Sequence, residues 1–106
     1  MATGILGQQA LSATTDTIVY TVPASTFGIV TINVTNRNAA ARNIRIALSS
    51  SGTPGNSEWI EYDTELLGHG TLERGGVVID AGKNVVVYAS STDITASVYG
   101  IETATS

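Results

Sequence analysis

Two stretches of this chain alternate apolar and polar residues one by one. In "GIVTINVTN", residues 28–36, Val30, Ile32 and Val34 fall on one side and Thr31, Asn33 and Thr35 on the other. In "NIRIALSS", residues 43–50, Ile44, Ile46 and Leu48 take the inward positions and Arg45 an outward one. Period two is the pattern of a strand with one face on a core, and no stretch of the chain sustains a helical period. "TIVYTV", residues 17–22, reads as a strand that stops at Pro23, since proline has no N–H to give to a ladder. "EWIEYDTEL", "TLERGGVVID", "NVVVYAS" and "DITASVYGIE" read as further strands. The turn-forming runs "RNAAA", "SGTPGNS", "GHG" and "DAGKN" separate the strand runs. This spacing predicts an all-β fold, a single antiparallel β-sandwich of seven to eight short strands, Ig-like or jelly-roll-like. The expected inward set is Val30, Ile32, Val34, Ile44, Ile46, Leu48, Val86 and Val98. Residues 17–102 form the predicted sandwich, residues 1–16 an N-terminal arm or loose first strand, and residues 103–106 a frayed tail.

Composition narrows the classes of function. The 106 residues suit one domain. Val, Ile and Thr make up about a third of them, the composition of a pleated, half-buried surface. The absence of cysteine excludes disulfides and thiolate metal sites. With a formal net charge of −4 and 13% charged residues, the chain is not expected to bind nucleic acid. No apolar run is long enough to span a bilayer, so no membrane partner is expected. "MATGILGQQALSATT" has neither a basic region nor a long apolar core, and it does not read as a signal peptide.

The residues that could carry chemistry are few. His69 is the only histidine and lies between two glycines, with no partner at a spacing that would tune it. Glu61, Asp63 and Glu65 alternate, so a regular strand would set all three on one face. That face could hold calcium, or it could be a solvated face that discourages edge pairing. Arg37, Arg42 and Arg45 gather around one turn and are expected to pair with an acidic neighbour such as another copy of the chain. The glycines of "ERGG" open no phosphate loop. No enzyme activity and no cofactor are expected.

The order of segments carries a resemblance. An N-terminal "GILGQ" is followed by "VYTVPAST", "TINVTNRN" and "SEWIEYDTEL", then by "GTLERGGVVIDAGKNVVVYASS" and a closing "ASVYGIE". Over nearly its whole length the chain resembles small β-sandwich virion structural proteins of tailed bacteriophages, notably those of cyanophages and other marine phages. The resemblance implies a non-enzymatic virion protein, assembled in the host cytoplasm. The expected role is a capsid decoration (cement) protein held by contacts with other copies of itself or with the lattice of the major capsid protein. The alternatives are a neck, tail or baseplate component, or a β-sandwich module that binds a host glycan. A glycan module would need an exposed aromatic cluster, and simple alternation puts Trp59 and Tyr62 on opposite faces. The apolar residues of the arm, Ile5, Leu6 and Leu11, are expected to order against a neighbouring subunit.

Overall fold

The computed structural model describes residues 3–104. They form eight strands and no helix: β1 (Thr3–Ala10), β2 (Thr17–Thr21), β3 (Thr26–Asn36), β4 (Arg42–Ser49), β5 (Trp59–Leu66), β6 (Thr71–Ile79), β7 (Asn84–Ala89) and β8 (Ile94–Ala104). The pairing is nested. β1 lies against β8, β2 against β7, β3 against β6 and β4 against β5, all antiparallel. The chain is thus one long double ribbon, folded back at the loop after β4. Rolling that ribbon up sets β3 beside β8 and β4 beside β7. The result is two four-stranded sheets, a front sheet ordered β1-β8-β3-β6 and a back sheet ordered β2-β7-β4-β5. Every connection except β4–β5 crosses between the sheets. This is the jelly-roll order, and not the Ig order in which each sheet is built from other strand sets.

The core lies between the sheets. Val30, Ile32, Val34 and Val98 enter it from the front, and Ile44, Ile46, Val85 and Val87 from the back, all essentially without solvent contact. Burying each such side chain contributes about 1.5–3 kcal/mol. Leu48 packs against this cluster from a half-buried position. Val86 is buried as expected, but on the other side of its strand. It pairs with Ile18 and Ala47, which share the outer face of the back sheet, while Val85 and Val87 fill the core.

The inner ladders β3–β8 and β4–β7 run without a break in register. Each of the four outer strands carries extra residues. The shifts fall between Ile5 and Gly7 in β1, between Ile18 and Tyr20 in β2, on the β5 side of Ile44/Ile46/Ala47, and on the β6 side of Val30/Ile32. An extra residue bends a strand and interrupts its free hydrogen-bonding edge. At the open side of the sandwich, Glu61 of β5 and Arg74 of β6 occupy positions opposite the core residues Ile46 and Ile32. They bridge the two sheets at 2.7 Å.

The N-terminal segment is part of the sandwich and not an arm. β1 pairs with β8 along its length, and Leu11 is 2% exposed within the core. The Leu11 N–H continues the ladder by donating to the Ile94 carbonyl at 2.9 Å. At Gly7 a Cβ would stand 2.1 Å from the Val19 carbonyl oxygen, so β1 closes down on β2 through a residue with no side chain. The strand β8 continues through Thr103 and Ala104, which were expected to fray, while residues 1–2 and 105–106 lie outside the described residues.

Two outcomes test this architecture. Ile46→Ala is expected to cost about 2–5 kcal/mol, read as a lower urea midpoint at unchanged slope; a cost under about 1 kcal/mol would place Ile46 outside the core. Deletion of residues 2–12 removes an outer strand and Leu11 together. It is expected to unfold the chain or lower its melting temperature by many degrees, and a truncated chain that melts like the full one would show β1 to be dispensable.

Candidate functional site on the outer sheet faces

The residues expected to form one interface are dispersed. Leu11 is core, Leu6 packs against the core, and Ile5 alone of the three stands out in solvent, 66% exposed. The three arginines have partners within the chain. Arg37 donates to the Thr92 carbonyl at 2.8 Å, and Arg42 pairs with Asp93 at 3.4 Å, so both brace the β7–β8 turn. Arg45 pairs with Asp63 at 2.6 Å on the outer face of the back sheet. His69 is exposed in a turn with φ +56°. Glu61, Asp63 and Glu65 do not share a face, because the extra residues in β5 break the alternation. Among the described residues no three His, Cys, Asp or Glu side chains come together in a metal-binding arrangement.

The same irregularity in β5 builds the outer face of the back sheet. Glu61 lies opposite Ile46 and Trp59 opposite Ala47, so two residues of β5 span one step of β4. Between Glu61 and Thr64, both Tyr62 and Asp63 lie beside Arg45, with Asp63 at φ +50°. Trp59 and Tyr62 therefore meet on one face, edge to face at 5.4 Å, where strict alternation would have parted them. The Arg45 guanidinium lies 4.1 Å from the Tyr62 ring centre, 4.6 Å from that of Tyr88 and 5.9 Å from that of Trp59. Stacking holds its plane and Asp63 takes its edge. The bond from Arg45 holds the Asp63 carboxyl below the usual carboxylate range.

Beneath this lattice Ala47 and Val86 are buried although they point away from the main core. The loop of residues 50–58 covers the adjoining end. Its Gly52 lies against Ile18, with a Cβ there standing 3.4 Å from the Ile18 Cδ1. Glu58 ties the loop down. Its carboxylate accepts from the Gly55 N–H at 2.8 Å, the Ser49 hydroxyl at 2.9 Å and the Ser50 N–H at 3.2 Å. These bonds, that of Gly55 first, depress its pKa.

Among the described residues, none covers the front sheet in this way. Its outward residues form cross-strand rows. Ile101 of β8 pairs with Ile29 of β3, and Ile29 with Val78 of β6, at exposures of 44%, 41% and 64%. Ile5 and Thr31 flank Tyr99 in the next row. The rows beyond are Gln8, Ser97, Asn33 and Glu73, then Ala10, Thr95, Thr35 and Thr71. The one carboxylate in these rows, Glu73, accepts the Tyr99 hydroxyl at 2.8 Å, and that bond raises the tyrosine pKa. One end of this face is aliphatic and the other is hydroxyl and amide. Tyr99 and Ile101 share the outward face of β8, and Ile29 and Val78 extend that face onto β3 and β6. For Ile29 the sequence signal is an apolar residue on the phase otherwise held by Thr31 and Asn33, whereas the extra residue in β6 hides the phase of Val78.

Comparison with protein-family models, with curated proteins and with solved structures returns no match.

The depressed carboxylates give the fold an acid limit. Glu58, Asp63 and Asp93 each titrate below their ordinary values, Asp93 through its bond from Ser91 and those from Arg42 and Asn38. A carboxylate with a lowered folded pKa contributes stability that is present above its unfolded pKa and lost as pH falls through the folded one. The melting temperature is therefore expected to hold near pH 6–7 and to fall below about pH 4. Glu58→Gln should melt lower at neutral pH and lose less on acidification. An equal acid-induced drop in both proteins would remove Glu58 from this account.

Proposed function

We propose that this chain is a structural protein of a tailed-phage virion, a non-enzymatic capsid decoration subunit that assembles through the outer face of its front sheet. The observation that carries the reading is the bare row Ile101–Ile29–Val78, continued by Ile5 and Tyr99, on a sandwich whose outer strands are all interrupted. A contiguous aliphatic patch on one face of a small domain favours burial against a partner. The interrupted edges oppose strand addition, so the favoured contact is face against face. The resemblance to phage virion proteins supplies the particle in which such a contact would recur.

A second reading, a module that binds a host saccharide, draws support from the Trp59–Tyr62 contact beside Arg45 and Asp63. In favour of the first reading, these rings already hold the Arg45 guanidinium and roof Ala47 and Val86.

Gold-labelled antibody against the chain, applied to intact particles of the phage that encodes it, is expected to decorate the whole capsid surface. Label confined to the neck, tail or baseplate would move the protein there. Particles that contain none of the chain would end the virion reading, and binding of the purified chain to host polysaccharide, lost in Trp59→Ala, would favour the second.

A further inference from the structure

We infer that the outer face of the front sheet binds a second copy of this chain, in a two-fold dimer whose axis runs parallel to the strands between β8 and β3. The inference rests on the reading of this face as an assembly surface and names its partner; it does not depend on the particle. A two-fold contact buries the same patch on both subunits, so the patch must complement itself. An axis along the strands keeps each row at its own level and exchanges the two sides of the sheet. β8 then covers β3 of the other copy, and β1 covers β6.

On the central strands the residues at each level suit that exchange, while at the margin Val78 would meet Thr3 of the other copy. Ile101 would meet Ile29, Tyr99 would meet Thr31, Ser97 would meet Asn33 and Thr95 would meet Thr35, because the β3–β8 ladder pairs these residues without a shift. Ile5, the most exposed of the aliphatic residues on this face, lies in the row where β6 carries Gly75 and Gly76. A large side chain thus faces a strand segment that has none. Gly75 borders Thr31, and a Cβ at Gly76 would meet nothing within 4 Å. Glu73 would face Gln8 of the other copy, so the carboxylate meets an amide and not its own like charge. An axis across the strands at mid-face would lay the aliphatic end over the hydroxyl end, and one at the aliphatic row would leave the rest of the face uncovered.

The size of the face is adequate. Four strands about 4.8 Å apart, with central strands near ten residues rising about 3.3 Å each, give roughly 600 Å² in projection. Side-chain relief brings this close to the roughly 800 Å² per partner of a standard interface. Two such sheets would pack as the layers of a sandwich do, aligned within about 30°.

Light scattering on the purified full chain at micromolar concentration is expected to give twice the chain mass. The double substitution Ile29→Lys, Ile101→Lys should weaken the dimer at least about thirtyfold while leaving circular dichroism and melting of the monomer unchanged. The chain has no cysteine, so single cysteines report cleanly. Oxidation of an equal mixture of Ile29→Cys and Ile101→Cys chains should join unlike chains in excess of random pairing. A monomer, a trimer or larger assembly, or a dimer that survives the double substitution overturns the inference, as does random or absent cross-linking. A dimer that is missing from particles would leave this inference standing and remove the virion reading. A monomer found on particles would do the reverse.

Discussion

One extra residue or more in every outer strand, and none in the inner ladders, governs the rest of this structure. β3 against β8 and β4 against β7 form two uninterrupted ladders, and β1, β2, β5 and β6 bend around them. Bent edges let the rolled ribbon close. They also take away the flat row of free N–H and C=O groups on which another chain could pair. Glu61 and Arg74 strengthen this at the β5–β6 side, where each is a charge pointing inward at an edge and each neutralises the other. What remains available for contact is the pair of outer faces.

The two faces have been treated differently by the same chain. The back sheet is partly covered by its own loop and by the stack of Trp59, Tyr62, Tyr88 and Arg45, which shields Ala47 and Val86 in a small second core and leaves Ile18 41% exposed. The front sheet presents Ile5, Ile29, Val78 and Ile101 with no cover. Aliphatic burial there would contribute about 25 cal/mol for each Å² removed from water, with little charge to desolvate. The asymmetry is a matter of loops. Residues 50–58 follow β4 in the back sheet and fold over its outer side, anchored by Glu58. Among the described residues no comparable segment lies over the front.

The fold class and most of the core were legible in the sequence because alternation is a local signal. Val30, Ile32, Val34, Ile44 and Ile46 lie where a period of two puts them. The nested pairing was not legible, since β1 meets β8 from the far end of the chain and no local pattern reports on that partnership. The core position of Leu11 was hidden for the same reason: one leucine among small polar residues looks unanchored until Ile94 is brought beside it. The extra residues in β5 hid the site on the back sheet. A single insertion reverses the phase of everything after it, which is how Trp59 and Tyr62 came to share a face and Glu61 and Asp63 to part. The arginines were found as a sequence cluster, but their partners, Thr92, Asp93 and Asp63, come from two other parts of the chain.

The front face also owes its regularity to what ties its central ladder down at both ends. At one end Asn36, fully buried, donates from its side-chain amide to the carbonyls of Ala40, Leu66 and Leu67 and accepts from the Asn38 N–H. It joins the end of β3 to the β3–β4 and β5–β6 turns, and its removal would take a side-chain donor from the buried Leu66 carbonyl. At the other end Tyr20, a core residue of the back sheet, passes its hydroxyl alongside Gly28 to the Glu102 carboxylate on β8. Burial, with the bond to Glu102, raises the tyrosine pKa, so this tie stays protonated through the whole physiological range. The ladder is thus tied to the back sheet through Asn36 of β3 at one end and Glu102 of β8 at the other, while Ile29 and Ile101 on its outward side stay exposed. A face held in this way loses little backbone freedom when a partner covers it, and a modest aliphatic patch can then suffice for association.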